Sequence, residues 1–290
     1  MPAMPPSVRT KFGLPADSHV HSEWSWDAPD GSMERTCERA AALGLPSVTF
    51  TEHADMTGWT LPPEMPVPEE WQDRVDEGVF LPPPFDLEGY AQRLDECRDR
   101  YPGLRIYSGI ELSEPHWHVD EASWLLEAGA FDHVLAGVHS ARLDTGPGFV
   151  EFSARYADDD PGQAVRDYLI ESALMIEHFD DFETLAHIDY PVRQWPADGD
   201  AYRPTDFEDE YRHVLRLLAG AGKALEFNTK VPLHLEVLKW WHEEGGDSIT
   251  FASDAHDSAS VARGFADAVR RAEAAGFRPG PDPLGCWRRS

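Results

Sequence analysis

The chain has 290 residues, 41% of them hydrophobic and 27% charged, which is enough to bury a full core. Its apolar runs are too short to cross a bilayer, and residues 1–16 show no secretion signal, so we expect no membrane partner. The formal net charge of −28, from 53 acidic and 25 basic residues, argues against long nucleic acid as a partner.

Short β-branched or apolar runs alternate along the chain with longer amphipathic stretches. The predicted strands are 18–21, 47–52, 106–112, 133–139, 184–188, 224–228 and 248–253. The predicted helices are 33–43, 87–101, 121–128, 162–178, 207–221, 233–243 and 258–275. Strand followed by helix, repeated in this way, is typical of parallel βα units rather than of a sandwich or a bundle.

Nearly every predicted strand ends in a histidine or a carboxylate. An open doubly wound sheet would spread these side chains along an edge, whereas a barrel would bring them together at its carboxyl-terminal face. We therefore predict an α/β fold, a distorted (β/α)7 barrel of TIM-like type. Residues 1–290 would form a single domain with an N-terminal extension over 1–16.

Two long segments, 58–85 and 143–161, interrupt the alternation. Both follow strands and belong on the active-site face, where long loops often form lids, although packing as surface elaboration is an equal alternative. The tail, 278–290, is predicted to be irregular. The three cysteines (Cys37, Cys97 and Cys286) are odd in number and widely spaced, which predicts a reducing compartment, by default the cytoplasm, and no disulfide framework.

Two of the strand ends carry ligand-type residues two positions apart. His19 and His21 face the same side of the first predicted strand because side chains alternate along a strand. Asp254 and His256 repeat this spacing after the last one, and the two pairs should face each other across a closed barrel. A single buried histidine is usually satisfied by a backbone partner, but a ring of them indicates a metal site. Imidazole and carboxylate together suit Zn²⁺, Mn²⁺ or Fe²⁺.

Ligand-type residues occur in a fixed order along the chain: His19-x-His21, Asp27, Thr51-Glu52-His53, Gly109-Ile110-Glu111, Val138-His139, His187-Ile188-Asp189 and Ser253-Asp254-Ala255-His256. Their order and spacing resemble the PHP (polymerase and histidinol phosphatase) superfamily. The resemblance extends over essentially the whole chain beyond Ala16. Residues 186–196 and 226–229 are similar to the histidinol-phosphatase branch.

The resemblance implies a trinuclear metal site with two to three divalent ions as cofactors. The first ion would be held by His19, His21, Glu111 and Asp254; the second would share Glu111 and add His139 and His187; the third would take Asp27, His53 and His256. Several relatives have histidine where this chain has Asp27, which favours a harder metal or weaker occupancy at the third position. Glu111, Asp254 and His256 are the expected catalytic residues.

Ions held close together lower the pKa of bound water, and they can also bind the oxygens of a phosphate group. The expected reaction is therefore metal-dependent hydrolysis of a phosphomonoester. The resemblance implies L-histidinol phosphate, an intermediate of histidine biosynthesis, as the substrate. Amidohydrolase barrels also begin with His-x-His, but they usually carry a carboxylated lysine where this chain has His139. Two alternatives stay open: another small phosphate ester, such as a nucleotide or a sugar phosphate, and a non-catalytic metal-binding accessory module.

Three cations near the strand ends are candidates for binding the phosphate: Arg193, Lys230 and Arg142. In the histidinol-phosphatase branch an arginine is expected soon after the Glu-x-Asn of the sixth strand, and Lys230 only approximates that position. A lysine lacks the bidentate recognition that arginine gives. Trp24 and Trp26, between His21 and Asp27, either form a wall of the substrate cleft or pack in the interior.

Overall fold

The computed structural model describes residues 13–61, 67–143, 148–157, 160–197, 199–281 and 284–290. The strands in these ranges are β1 (Asp17–Val20), β2 (Ser47–Ala54), β3 (Trp59–Thr60), β4 (Val75–Asp76), β5 (Val79–Phe80), β6 (Arg105–Ser113), β7 (His133–Gly137), β8 (Ser140–Arg142), β9 (Phe149–Glu151), β10 (Thr184–Leu185), β11 (Ala224–Asn228), β12 (Ser248–Ala252), β13 (Phe277–Pro279) and β14 (Trp287–Arg289). The α-helices are α1 (Met33–Leu43), α2 (Leu87–Arg100), α3 (Val119–Gly129), α4 (Pro161–His178), α5 (Glu208–Gly220), α6 (Leu235–Glu243) and α7 (Phe265–Ala274).

The main sheet has the strand order β1-β2-β6-β7-β10-β11-β12-β14-β13. All pairings from β1 to β12 are parallel, and helices connect successive strands. All eight residues of β2 are buried, as expected for a parallel strand that is covered on both of its faces. The prediction of an α/β fold with parallel strands is therefore confirmed.

Backbone hydrogen bonds join the first strand to the segment that follows β12. The amide of Asp254 donates to the carbonyl of His19, and the amide of His21 donates to the carbonyl of Ala255, both at 2.9 Å. A parallel bridge between Val20 and Ala255 accompanies them. The sheet therefore curls until its first and last parallel strands meet, and their carboxyl ends lie side by side.

Local sequence explains the ends of the helices that flank this sheet. Ser32 caps α1 by accepting from the amide of Arg35, and Gly44 ends it with φ of 71°. The side chains of Asp86 and Asp160 cap α2 and α4 in the same way. In the described part of the chain, no helix is long and apolar enough to span a bilayer.

The prediction of an irregular tail is wrong. Strands β13 and β14 extend the main sheet in antiparallel pairing beside β12. Trp287 is buried and packs edge-on against Phe251 with ring centroids 5.0 Å apart. Burial of this indole explains why the tail joins the sheet.

The two long segments contain short strands of their own. In 58–85, β3, β5 and β4 form a small antiparallel sheet, and β8 pairs with β9 close to the second segment. Residues 62–66, 144–147 and 158–159 lie outside the described residues, as do 1–12 of the predicted N-terminal extension. Trp59 and Phe80 of the small sheet are buried, so this insertion has an apolar interior.

Candidate metal centre

A cavity of about 130 Å³ lies where the carboxyl ends of the parallel strands converge. Among the predicted site residues it is lined by Asp27, His53, Glu111, His139, His187, Arg193, Lys230, Asp254 and His256. Trp26, Asp55, Trp59, Glu151 and Tyr190 complete the lining. His19 and His21 lie immediately beneath, fully buried.

Glu111, from β6, stands at the centre of the cluster. Its Oε2 atom lies 3.1 Å from Nε2 of His19 and 3.4 Å from Nε2 of His21. The two imidazole Nε2 atoms are themselves only 2.9 Å apart. Two ring nitrogens and a carboxylate oxygen thus lie close enough together to bind one ion.

The other carboxylate oxygen of Glu111 faces a second histidine pair. Its Oε1 lies 2.6 Å from Nε2 of His187 and 3.3 Å from Nε2 of His139. The Nε2 atoms of these histidines are 3.2 Å apart. The Glu111 carboxylate is therefore placed between two groups of ring nitrogens, one at each oxygen.

A third group forms around Asp27 at the mouth of the cavity. Its Oδ2 atom is 3.4 Å from Nε2 of His53 and 3.0 Å from Nε2 of His256. The ring of His21 stacks on that of His53 with centroids 4.2 Å apart and lies 4.3 Å from that of His256. Asp27 thus lies beside the same two histidines with which it was grouped from the sequence.

Two of these residues have positive φ angles, which non-glycine residues rarely adopt. His187 has φ of 22° and Asp254 has φ of 49°. Such strain is commonly stored at functional sites, where the surroundings hold it in place. Asp254 uses this turn to bring Oδ1 within 3.6 Å of Nε2 of His21 and 3.5 Å of Nδ1 of His256.

Electrostatic interactions shift the pKa values of the clustered groups in opposite directions. Burial opposes ionisation of Glu111, but the neighbouring histidines, His19 first, hold its pKa well below its ordinary value. Burial alone would lower the pKa of His139, whereas the carboxylates of Glu111 and Asp55 raise it well above the usual range. Burial lowers the pKa of His187 to about 4. The cluster therefore mixes ionised carboxylates with neutral and charged imidazoles.

These donors fit divalent metal ions. Four triads of His, Asp and Glu bring potential ligand atoms within 4.8 Å of one another, and nearly all of the side chains are buried. The triads are His19, His21 and Glu111; Glu111, His139 and His187; His21, His53 and His256; and His53, Asp55 and His139. Buried carboxylates among ring nitrogens that face one another form a donor set typical of zinc, manganese or iron.

Two carboxylates that were not assigned to the site from the sequence hold the histidine rings. Oε2 of Glu226, in β11, lies 2.7 Å from Nδ1 of His19, and Oδ1 of Asp55 lies 3.1 Å from Nδ1 of His139. Oriented carboxylates of this kind fix the tautomer and the angle of a metal-binding imidazole. Asp55 stands two residues after His53, the same spacing as in His19-x-His21, and this spacing could have identified it.

Two of the three predicted phosphate-binding cations lie at the cavity. The Arg193 guanidinium donates to Oδ2 of Asp254, and Lys230 Nζ lies 3.3 Å from Oδ1 of the same carboxylate. Arg193 is mostly buried and lies over the ring of Tyr190, while Lys230 is more exposed. Both therefore place positive charge beside the clustered carboxylates.

The placement of Arg142 corrects its assignment to phosphate binding. Its guanidinium lies 4.5 Å from the ring centroid of Trp117 and 5.3 Å from that of Phe149. It does not line the cavity formed by the described residues. Arg142 is the last residue of β8, where it is exposed and pairs with Phe149 of β9.

Comparison with known proteins identifies a matching family and several similar relatives. The model of the PHP domain family matches residues 17–230. A histidinol-phosphatase of Lactococcus lactis subsp. lactis is 26% identical over 248 residues, which are 83% of each chain. A probable histidinol-phosphatase of Thermotoga maritima is 26% identical over 262 residues, which are 88% of this chain and 89% of the relative.

A solved structure shares the fold. It is the crystal structure of histidinol phosphate phosphatase from Lactococcus lactis complexed with zinc, L-histidinol and phosphate. It superposes with a TM-score of 0.74 at 23% sequence identity, over 94% of this chain and 98% of that one. The likeness therefore covers nearly the whole length of both chains.

Proposed function

The chain belongs to the PHP domain family, and on that premise we propose that it is a metal-dependent phosphomonoesterase that hydrolyses L-histidinol phosphate. One observation carries the proposal: Glu111 lies between His19 and His21 at one oxygen and His139 and His187 at the other. The relatives named histidinol-phosphatase, which match most of the chain, support the substrate.

The proposed metal ligands are those predicted from the sequence, with Glu111 as the shared residue, while Asp55 and Glu226 position the rings of His139 and His19. Divalent ions held there would lower the pKa of a water molecule and draw negative charge from the phosphoryl oxygens. Burial of Glu111 and the histidines keeps bulk water away and strengthens electrostatic interactions within the cluster. Glu111, Asp254 and His256 remain the proposed catalytic residues.

Arg193 and Lys230 are the proposed phosphate-binding residues. Their side chains contact both oxygens of Asp254, so they lie beside this proposed ligand and at the wall of the cavity. A guanidinium can bind two phosphoryl oxygens at once, and an ammonium adds a point charge. The two cations would hold a phosphomonoester dianion with its phosphorus near Glu111.

We infer further that the parallel sheet is a distorted (β/α)7 barrel and that the chain is a single domain. The hydrogen bonds between His19 and Asp254, and between His21 and Ala255, support closure of the sheet. Closure is also what allows ligands from the first and last strands to share a site. A cytoplasmic location remains a prediction from the sequence.

The proposal is tested by phosphate release from L-histidinol phosphate, a nucleoside monophosphate and a sugar phosphate, with protein loaded with Zn²⁺, Mn²⁺ or Fe²⁺. We expect the highest kcat/KM with L-histidinol phosphate, loss of turnover after chelation, and recovery when metal is restored. Preference for either other ester would identify a different phosphoesterase. No release from any ester by the metal-loaded protein would favour an accessory module instead.

A further inference from the structure

The cavity at the metal centre is the smaller of two adjoining spaces. Its volume is about 130 Å³, and the space for any bound ion is included in that figure. The phosphoryl group is proposed to bind here among the ligand side chains, which leaves the adjoining space for the rest of the ester.

A second cleft, of about 400 Å³, opens beside the cavity. The two share Trp26, Trp59 and Glu151 as common walls, and the cleft continues between the small sheet of β3, β4 and β5 and the segment after β9. No arginine or lysine lines it in the described part of the chain. Its chemistry therefore differs from that of the phosphate end, where Arg193 and Lys230 stand.

Four aromatic rings form one side of this cleft: Trp26, Trp59, Trp71 and Phe80. The ring of Trp26 lies 5.6 Å from that of Trp59, 5.0 Å from Trp71 and 5.4 Å from Phe80, measured between centroids. Trp59 and Phe80 are buried, whereas Trp26 and Trp71 are partly exposed. We call these four residues the aromatic wall.

Hydrogen bonds hold two of the four rings of the aromatic wall in place. The indole nitrogen of Trp26 donates to Oδ2 of Asp55 at 2.7 Å, and Oδ1 of Asp55 faces His139. The indole nitrogen of Trp59 donates to Ser140 at 2.8 Å. A ring bound against the wall would therefore be held at a defined position relative to the histidine cluster.

Glu151 gives the cleft its charge. Its Oε1 accepts a hydrogen bond from Tyr190 at 2.8 Å, and its Oε2 accepts one from the amide of Ser153 at 3.0 Å. No ion pair joins it to a lysine, arginine or histidine among the residues that the structure describes. A carboxylate held in this way, beside aromatic faces, attracts a cation.

We propose that the aromatic wall and Glu151 form the leaving-group subsite, and that it takes a flat ring together with a positive charge. This inference rests on the proposed phosphomonoesterase activity and adds the residues that select the ester. The phosphate end is cationic and the leaving-group end is acidic and aromatic, so a substrate with both charges binds in only one direction. An imidazole ring that carries an amine on its side chain meets this requirement.

The test compares the ratio of kcat/KM for L-histidinol phosphate to that for glycerol 1-phosphate, which has neither ring nor positive charge. Trp71→Leu removes the ring but keeps apolar volume, and we expect this ratio to fall about 10-fold. Glu151→Gln should lower the ratio by a similar factor. Trp71→Phe, which keeps an aromatic ring, should retain most of the wild-type ratio. Trp124→Ala is the matched control, since Trp124 is 67% exposed and lies outside both clefts.

Calorimetric titration with L-histidinol gives a second readout that needs no turnover. We expect Trp71→Leu and Glu151→Gln to weaken binding about 10-fold and Trp124→Ala to leave it unchanged. If the wild type hydrolyses no phosphomonoester, the proposed function fails, and the titration still decides the subsite. If the wild type hydrolyses both esters and neither variant changes the ratio or the affinity, the proposed subsite is wrong. The proposed phosphomonoesterase activity is then unaffected.

Discussion

Oε2 of Glu226 lies 2.7 Å from Nδ1 of His19, and both side chains are fully buried. An imidazole that donates from Nδ1 can bind a metal through Nε2 once the Nε2 proton is lost, and this Nε2 faces Glu111 at 3.1 Å. Oε1 of Glu226 also accepts from the amide of His187 at 3.0 Å. One carboxylate therefore positions ligands from two different strands.

Glu226→Gln should weaken metal binding, because an amide cannot accept the hydrogen bond with a full negative charge. We expect about 10- to 100-fold lower affinity, measured by competition with a chromogenic chelator. Activity should recover as the metal concentration is raised. Glu177→Gln on the exposed side of α4 is the control. Equal metal affinity in the two variants would show that Glu226 does not position the ligands.

Asp55→Asn should act on His139 and on Trp26 at once, since one oxygen of Asp55 faces each of them. We expect about 10-fold or greater loss of metal affinity, together with a change in tryptophan fluorescence. Spectra and metal titrations of the purified variant provide the measurement. Native affinity with a native spectrum would show that Asp55 orients neither side chain.

The sequence predicts the ring of ligands well because alternation along a strand and the convergence of strand ends are simple geometric rules. His19, His21, Glu111, His139 and His187 come together for that reason. The same spacing rule applied to His53 would have found Asp55. Arg142 could not be placed from the sequence, because its position depends on the course of β8 after the strand end.

The fold was predictable to the level of its parallel strands and their helices. The short strands of 58–85 were not, since pairs of two residues such as β4 and β5 leave no periodic pattern. The tail was mispredicted because its stabilisation is tertiary. Trp287 packs against Phe251, a contact that no local pattern indicates.

Metal binding to the metal-free protein should release protons at neutral pH. Burial alone would lower the pKa of His53, but the carboxylates of Asp27 and Glu111 raise it to about 9. The same balance raises the pKa of His19 and of His139 well above the usual value. Since protons compete with metal for these nitrogens, affinity should rise with pH up to that range.

The measurement is calorimetry of metal binding at pH 7 in two buffers of different ionisation enthalpy. Metal-dependent release of about one proton or more per chain is expected. Net proton uptake, or an affinity that falls as the pH rises, would contradict the assignment of these histidines as ligands.

Arg193→Lys should lower kcat/KM for the phosphomonoester by about 10- to 100-fold, because a charged hydrogen bond and its bidentate geometry are lost. Arg142→Lys is the matched control, because Arg142 lies against Trp117 and Phe149 instead of the cavity. Steady-state kinetics of both variants provide the comparison. Equal losses in the two would mean that Arg193 has no special part in binding phosphate.

The central claim is that strand-end histidines and carboxylates form a multinuclear metal site with Glu111 as the shared residue. Metal content per chain in the wild type and in Glu111→Gln, by mass spectrometry after removal of loosely bound metal, tests it most directly. We predict about two to three ions in the wild type and the loss of at least one in the variant. An unchanged metal content in the Glu111→Gln protein would contradict the account.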